Sequence, residues 1–271
     1  MSGKKERQRK LARERMLRQQ ARRAERARKA RQITVVAVIC CVLAGLGVGG
    51  YFLFAGPGSS KAAAVSATSS ATPSASASAS TQAEPATTCS YQASGTAARN
   101  VGTPPAKPDY KAGYQATIHT NRGDVVINLL NSKATCTVGS FVYLAAKKYF
   151  NGTHCHRLTT IDPFVLQCGD PTGTGSGGPG YKFANENLAG ATYTRGTVAM
   201  ANSGPNTNGS QFFIVYKNSK LAASYTPFGE VVKGLGIIQN VAKAGSDNAN
   251  AAGDGHPKEK VVIESVTIKK T

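Results

Sequence analysis

VAMANSGPNTNGSQFFIVY, residues 198–216, sets the reading of this chain. Two short runs rich in aliphatic and aromatic residues flank a middle dominated by Asn, Gly, Ser and Thr. The ends have strand composition, and the middle has the residues of turns and loops, so the stretch reads as strand, long turn, strand. Working outward, THCHRLT and PFVLQCG are further short strand candidates, whereas GDPTGTGSGGPGY (169–181) holds too much glycine for any regular element. YQATIHTNRGDVVINLL reads as a hairpin around Asn121-Arg122-Gly123-Asp124. In TVGSFVYLAAKKYF (137–150) apolar residues stand at 138, 141, 142, 144, 145 and 149, the spacing of one helical face, which predicts a helix starting at a Thr137 cap. VVKGLGIIQNVAKAG contains a second, shorter helix, and KVVIESVTI is a closing strand. Many short strands and two helices, without a regular βαβ alternation, predict a mainly β, mostly antiparallel barrel.

The rest of the chain differs in kind. A formal charge of +19 invites a nucleic-acid reading, but residues 1–32 hold 14 Lys/Arg and 3 Asp/Glu, a net of +11. Most of the charge is therefore a property of the tail, and no nucleic-acid partner is expected for the folded part. Ile33 to Ala55 follows, 23 residues without a charged side chain. A membrane-spanning helix needs about 20 apolar residues. A cleaved signal peptide would have a core of about 7–15 behind a shorter basic region, so an uncleaved anchor is favoured. The basic tail (1–32) is then cytoplasmic, with anionic lipid as a possible contact, and everything after Gly56 lies outside: a single-pass cell-membrane protein. Residues 56–108 are expected to be an Ala/Ser/Thr/Pro-rich linker with little to bury, and residues 109–271 the folded domain. Cys40 and Cys41 fall in the apolar run. Cys89, Cys136, Cys155 and Cys168 lie beyond it, where disulfides are permitted and three connectivities are open.

His154, Cys155, His156 and Cys168 raise the question of zinc. On a strand, however, residues 154 and 156 face away from 155, so structural thiols or a disulfide fit better than a tetrahedral site. GTGSGGPG lacks the GK[ST] ending of a phosphate loop and precedes no convincing helix, which argues against a nucleotide.

CHRLTTIDPFVLQCGD (155–170), VAMANSGPNTNGSQFFIVY (198–216) and TPFGEVVKG (226–234) together resemble the cyclophilins, in order, spacing and residue type, over roughly residues 112–271. The resemblance implies a closed, eight-stranded antiparallel barrel capped by two helices. It also implies peptidyl-prolyl cis/trans isomerase activity with no metal or cofactor, acting on proline-containing polypeptides; the expected anchor puts these outside the cytoplasm, and a monomer is expected. It assigns catalysis to Arg157, Gln167 and Phe213. It assigns substrate contact to Phe164, Val165, Ala201, Asn202, Gln211, Leu221 and Tyr225, with Phe164 and Phe213 as aromatic walls of the proline slot and Gln167 as the residue that orients Arg157. The chain departs from the family in four places. Val165 stands where methionine is usual, Tyr225 where a histidine is frequent, and Lys220 near a common tryptophan; LTTIDP makes the loop after Arg157 two residues longer than in the common eukaryotic form. A non-catalytic module that binds proline segments is the alternative function.

The physical requirement agrees with those assignments. Rotation about an X–Pro bond faces a barrier of about 18–20 kcal/mol from amide resonance. As the bond twists, the prolyl nitrogen becomes pyramidal and gains a lone pair. A guanidinium aimed at it stabilises the twisted state more than either planar one.

Overall fold

A computed structural model describes residues 86–271; the expected tail, anchor and first part of the linker lie outside the described residues. The hairpin forms as β2 (Tyr114–Thr120) and β3 (Gly123–Leu129). Its side chains alternate: Ala116, Ile118, Val125, Ile127 and Leu129 are buried, whereas Gln115, Thr117 and Asn128 are not, as a pleated strand with one face on a core requires. The remaining strands are β4 (Thr153–His154), β5 (Arg157–Thr159), β6 (Val165–Cys168), β8 (Thr197–Met200), β9 (Phe212–Val215), β10 (Pro227–Lys233), β11 (Asp254–Gly255) and β12 (Val262–Lys270). They join one sheet in the order β11-β5-β6-β9-β8-β10-β3-β2-β12-β4. β1 (Gln92–Ala93) and β7 (Tyr181–Lys182) form a separate antiparallel pair.

The pairing runs through ten segments without returning on itself, so the expected closed eight-stranded barrel is corrected to an open, curled sheet. The reason lies at Cys155 and His156. There the chain changes partner, Cys155 N–H donating to Val261 O and His156 N–H to Gln167 O. β4 and β5 are thus consecutive in the chain yet lie toward opposite ends of the sheet order, so the sheet must curl to bring those ends within the reach of two residues, with no ladder between them. A disulfide between Cys155 and Cys168 spans this seam.

Two helices are present among the described residues, α1 (Thr135–Ala146) and α2 (Leu235–Ala244). Neither is long and apolar enough to cross a membrane. α1 begins two residues before the predicted Thr137 cap, and its first turn is capped from a distance. The Glu186 carboxylate accepts from Cys136 N–H (3.0 Å), Thr137 N–H (2.7 Å) and the Thr137 hydroxyl (2.7 Å), satisfying donors that a helix start leaves open. α2 starts after Gly234, whose φ of +87° and 2.1 Å separation between a would-be Cβ and Asp124 O leave room for no other residue. Between α1 and the sheet, Phe141 packs on Phe150, Phe212 and Phe228 at ring-centroid distances of 5.2–5.6 Å. Truncating one such buried ring typically costs about 3–5 kcal/mol.

The predicted domain boundary at 109 falls inside the folded unit. Cys89 is buried and disulfide-bonded to Cys136. The Tyr91 ring stacks edgewise on Tyr181 and Phe183, and Arg99 Nη1 donates to the Tyr149 and Asn151 carbonyls at 2.8 Å each. Composition assigned residues 89–108 to the linker, and their regular backbone pairing is short; they are held instead by one covalent bond and a few side chains. We call this segment the strap.

Candidate active site

β9 reads FFIV, buried throughout. With side chains alternating, Phe212 and Ile214 enter the main core while Phe213 and Val215 face the other way. There they join Val165, Ala199 and Tyr193 in a second, smaller apolar cluster, edged by Ala201, Leu221 and Tyr225. That outward cluster is the floor of a cavity of about 230 Å³. Eight of the ten expected residues line it: Arg157, Val165, Gln167, Ala201, Asn202, Phe213, Leu221 and Tyr225. Phe213 and Tyr225 meet edge to face at 5.5 Å, so one wall is aromatic.

Two expected residues lie elsewhere. Phe164 precedes Val165 and points to the opposite side of the strand, where its ring packs on Tyr216 (5.9 Å) under the Lys217 ammonium (4.4 Å). It is not a wall of the slot, and Pro163 occupies that edge of the cavity instead. Gln211 lies outside the slot but in the adjoining groove of about 560 Å³, which shares Gln167, Ala201 and Asn202 with it. The strap residues Ser94, Gly95 and Thr96 also line this groove.

The polar wall is built across three strands. Arg157 and Gln167 are cross-strand partners in the β5–β6 ladder, and Gln167 is opposite Phe213 in the β6–β9 ladder. Arg157 Nη1 donates to Gln167 Oε1 at 3.4 Å; Gln167 Nε2 donates to Gln211 Oε1 at 2.8 Å. Gln211 Nε2 in turn donates to the Gly175 and Gly177 carbonyls (3.0 and 2.9 Å), giving the glycine-rich stretch its anchor. Asn202 Nδ2 donates to Ser224 O at 2.9 Å, tying the two loops that overhang the slot. On the far side of Arg157, Nε and Nη2 donate to the two oxygens of Asp254 at 2.9 and 2.7 Å. This hydrogen bond raises the guanidinium pKa further, so the group is a fixed cation.

Sequence reasoning missed Tyr193 and Asp254. Tyr193 donates to Tyr225 O (2.7 Å) and accepts from Tyr225 N–H (2.9 Å), holding the Tyr225 loop over the slot. It stands in a loop stretch with no periodic pattern to single it out. Asp254 is 97 residues from Arg157, beyond any local spacing argument. The weighed zinc set does not assemble: Cys155 and Cys168 are bonded to each other.

An apolar slot with one fixed guanidinium and amide groups along its rim can take a proline ring, hold the neighbouring backbone and direct N–H groups at a developing lone pair. Among the described residues, its lining includes no serine, threonine, cysteine or lysine.

Comparison with known proteins agrees with this geometry. The family described as cyclophilin type peptidyl-prolyl cis-trans isomerase/CLD matches residues 115–268. A probable peptidyl-prolyl cis-trans isomerase B of Mycobacterium tuberculosis is 47% identical over 175 residues, covering 59% of this chain and 56% of that protein. The peptidyl-prolyl cis-trans isomerase A of the same organism is 42% identical over 172 residues, covering 56% of this chain and 91% of its own. The chain thus spans little more than half the length of the first of these relatives. A crystal structure of a Cryptosporidium parvum cyclophilin-type isomerase, in the presence of the dipeptide Ala-Pro, is similar with a TM-score of 0.52 at 33% identity, covering 58% of this chain and 99% of that one. Fold, site and likeness converge, and the chain belongs to the cyclophilin family.

Proposed function

We propose that this protein is a peptidyl-prolyl cis/trans isomerase acting on exported proteins, held by residues 33–55 at the outer face of a membrane with the basic tail inside. The observation that carries the catalytic part is the fixed Arg157 guanidinium beside the Phe213–Val165 slot. The substrate proline enters the slot, the Gln167, Asn202 and Gln211 amides hold the adjoining backbone, and Arg157 donates to the prolyl nitrogen as it pyramidalises. Solvent is excluded on the apolar side, which strengthens that donation. The extracytoplasmic part is supported by two disulfides, a use of cysteine typical of oxidising compartments.

The test is isomerisation of a short Xaa-Pro peptide by the chain from residue 86 onward, followed beside binding of the same peptide. Catalysis at substoichiometric protein supports the enzyme; binding without turnover supports the proline-segment module. Protease added to intact cells should remove the domain and spare the tail, and a soluble mature form beginning after residue 56 would contradict the anchor.

A further inference from the structure

Gln167 touches Arg157 through one long hydrogen bond of 3.4 Å. A contact of that length cannot by itself fix a side chain with four rotatable bonds. The tighter partner is on the opposite side: Asp254 takes Nε and Nη2 along two parallel bonds of 2.9 and 2.7 Å. This is the bidentate fork that gives arginine a defined plane as well as a position.

Asp254 is itself held. β11 pairs with β5, placing Asp254 opposite Thr159, and Thr160 N–H donates to Gly253 O at 2.7 Å. The Asn250–Asp254 turn closes through Asn250 N–H and Ala251 N–H to Asp254 O, both at 3.1 Å, and Asp254 N–H to Ala251 O at 2.9 Å. Asn250 Nδ2 adds a bond of 3.1 Å to Oδ1, the oxygen that receives Arg157 Nε. The carboxylate side chain keeps 23% of its exposure and the arginine 38%, so the pair is partly solvated. Beyond any stability the pair adds, its two parallel bonds give the guanidinium a defined plane, which a single point contact would not.

We propose that Asp254 is the positioning residue for Arg157 in proline isomerisation: it fixes the Nε–Nη2 edge so that the Nη1 side faces Gln167 and the proline slot. This deepens the Arg157 reading above and rests on it. Without the clamp the guanidinium swings between solvent and slot, and the fraction of encounters with an N–H correctly aimed falls. Binding of the proline ring, which depends on Phe213 and Val165, is not touched.

The experiment measures kcat and KM for an Xaa-Pro peptide with the purified full-length chain in four forms: wild type, Asp254→Asn, Arg157→Ala and the double variant. Misplacing a catalytic group by about 1 Å can cost about 10²-fold. A side chain left free to sample the correct position should cost less, so Asp254→Asn is expected to lower kcat about tenfold with KM nearly unchanged. It should cost nothing further in the Arg157→Ala background. Asp254→Glu should recover part of the rate, and a slowly exchanging Arg157 Nε–H signal, resolved by NMR in the wild type, should be lost in Asp254→Asn. Circular dichroism and melting check that each variant folds. Wild-type kcat in Asp254→Asn overturns the positioning role. So does an equal loss with and without Arg157, which marks damage to the loop instead. If Arg157→Ala itself turns over at the wild-type rate, the Arg157 reading fails first.

Discussion

The two disulfides close loops of 47 and 13 residues and serve regions with opposite relations to the site. Cys89–Cys136 fastens the strap to α1, and neither cysteine lines the slot. Cys155–Cys168 crosses the seam of the sheet, two residues before Arg157 on one strand and one residue after Gln167 on the other. Loop entropy favours the longer closure: in the chain-entropy account it contributes about 4 kcal/mol against about 3 kcal/mol for the shorter. Proximity to the reacting groups favours the shorter. Both bonds therefore stabilise the fold, the strap bond somewhat more, while only the seam bond bears on the reacting groups, and each can be removed separately.

The largest effect is expected from Cys89→Ala with Cys136→Ala. Denaturant unfolding should show a loss of about 4 kcal/mol, while a peptide short enough to use only the slot is isomerised at the wild-type rate. Longer peptides that reach Ser94–Thr96 in the groove should bind less well. Next comes Cys155→Ala with Cys168→Ala, at about 3 kcal/mol by the same measurement. Here the rate on the short peptide should fall, because the β5–β6 register that aligns Arg157 with Gln167 loses its cross-link. The comparison breaks if the strap pair alters that rate and the seam pair leaves it alone.

A smaller effect sharpens the seam side. Burial pushes the His156 pKa below its usual 6.5, and neither ring nitrogen has a hydrogen-bond partner among the described residues. The unfolded chain then binds the proton more readily than the folded one. Stability is full above about pH 6.5 and is lost as the pH falls toward the depressed folded value. His256, Asp170, His154 and Arg157 are the charged neighbours that modulate this. A pH series of melting temperatures should show the decline, and His156→Gln should flatten it.

The same contrast explains what the sequence could tell. Arg157, Gln167, Ala201, Asn202, Gln211 and Phe213 lie in two contiguous motifs, and the family resemblance those motifs carry assigned them to one site. Within a motif, spacing alone did not say which face a residue takes: Phe164 and Val165 are neighbours, and strand alternation sends only Val165 into the slot. Contacts made across the fold left no local signal. Glu186 caps α1 from about 50 residues away, and Asp254 clamps Arg157 from 97. The strap was read as linker because its apolar content is low, yet a buried Cys89, Tyr91 and Arg99 suffice to dock it. A seam two residues long, where one chain segment changes partners, likewise has no compositional mark.

The central claim, that Arg157 stabilises the twisted proline bond, is tested most directly by Arg157→Ala, with isomerisation rate and peptide affinity measured on the same folded protein. Losing a donor to a transition state typically costs about 2.7–4 kcal/mol, or about 10²–10³-fold in rate. The account predicts a fall of that size in kcat with affinity nearly unchanged, and only partial recovery in Arg157→Lys, whose point charge cannot occupy the Asp254 fork. Isomerisation at the wild-type rate by Arg157→Ala would contradict it.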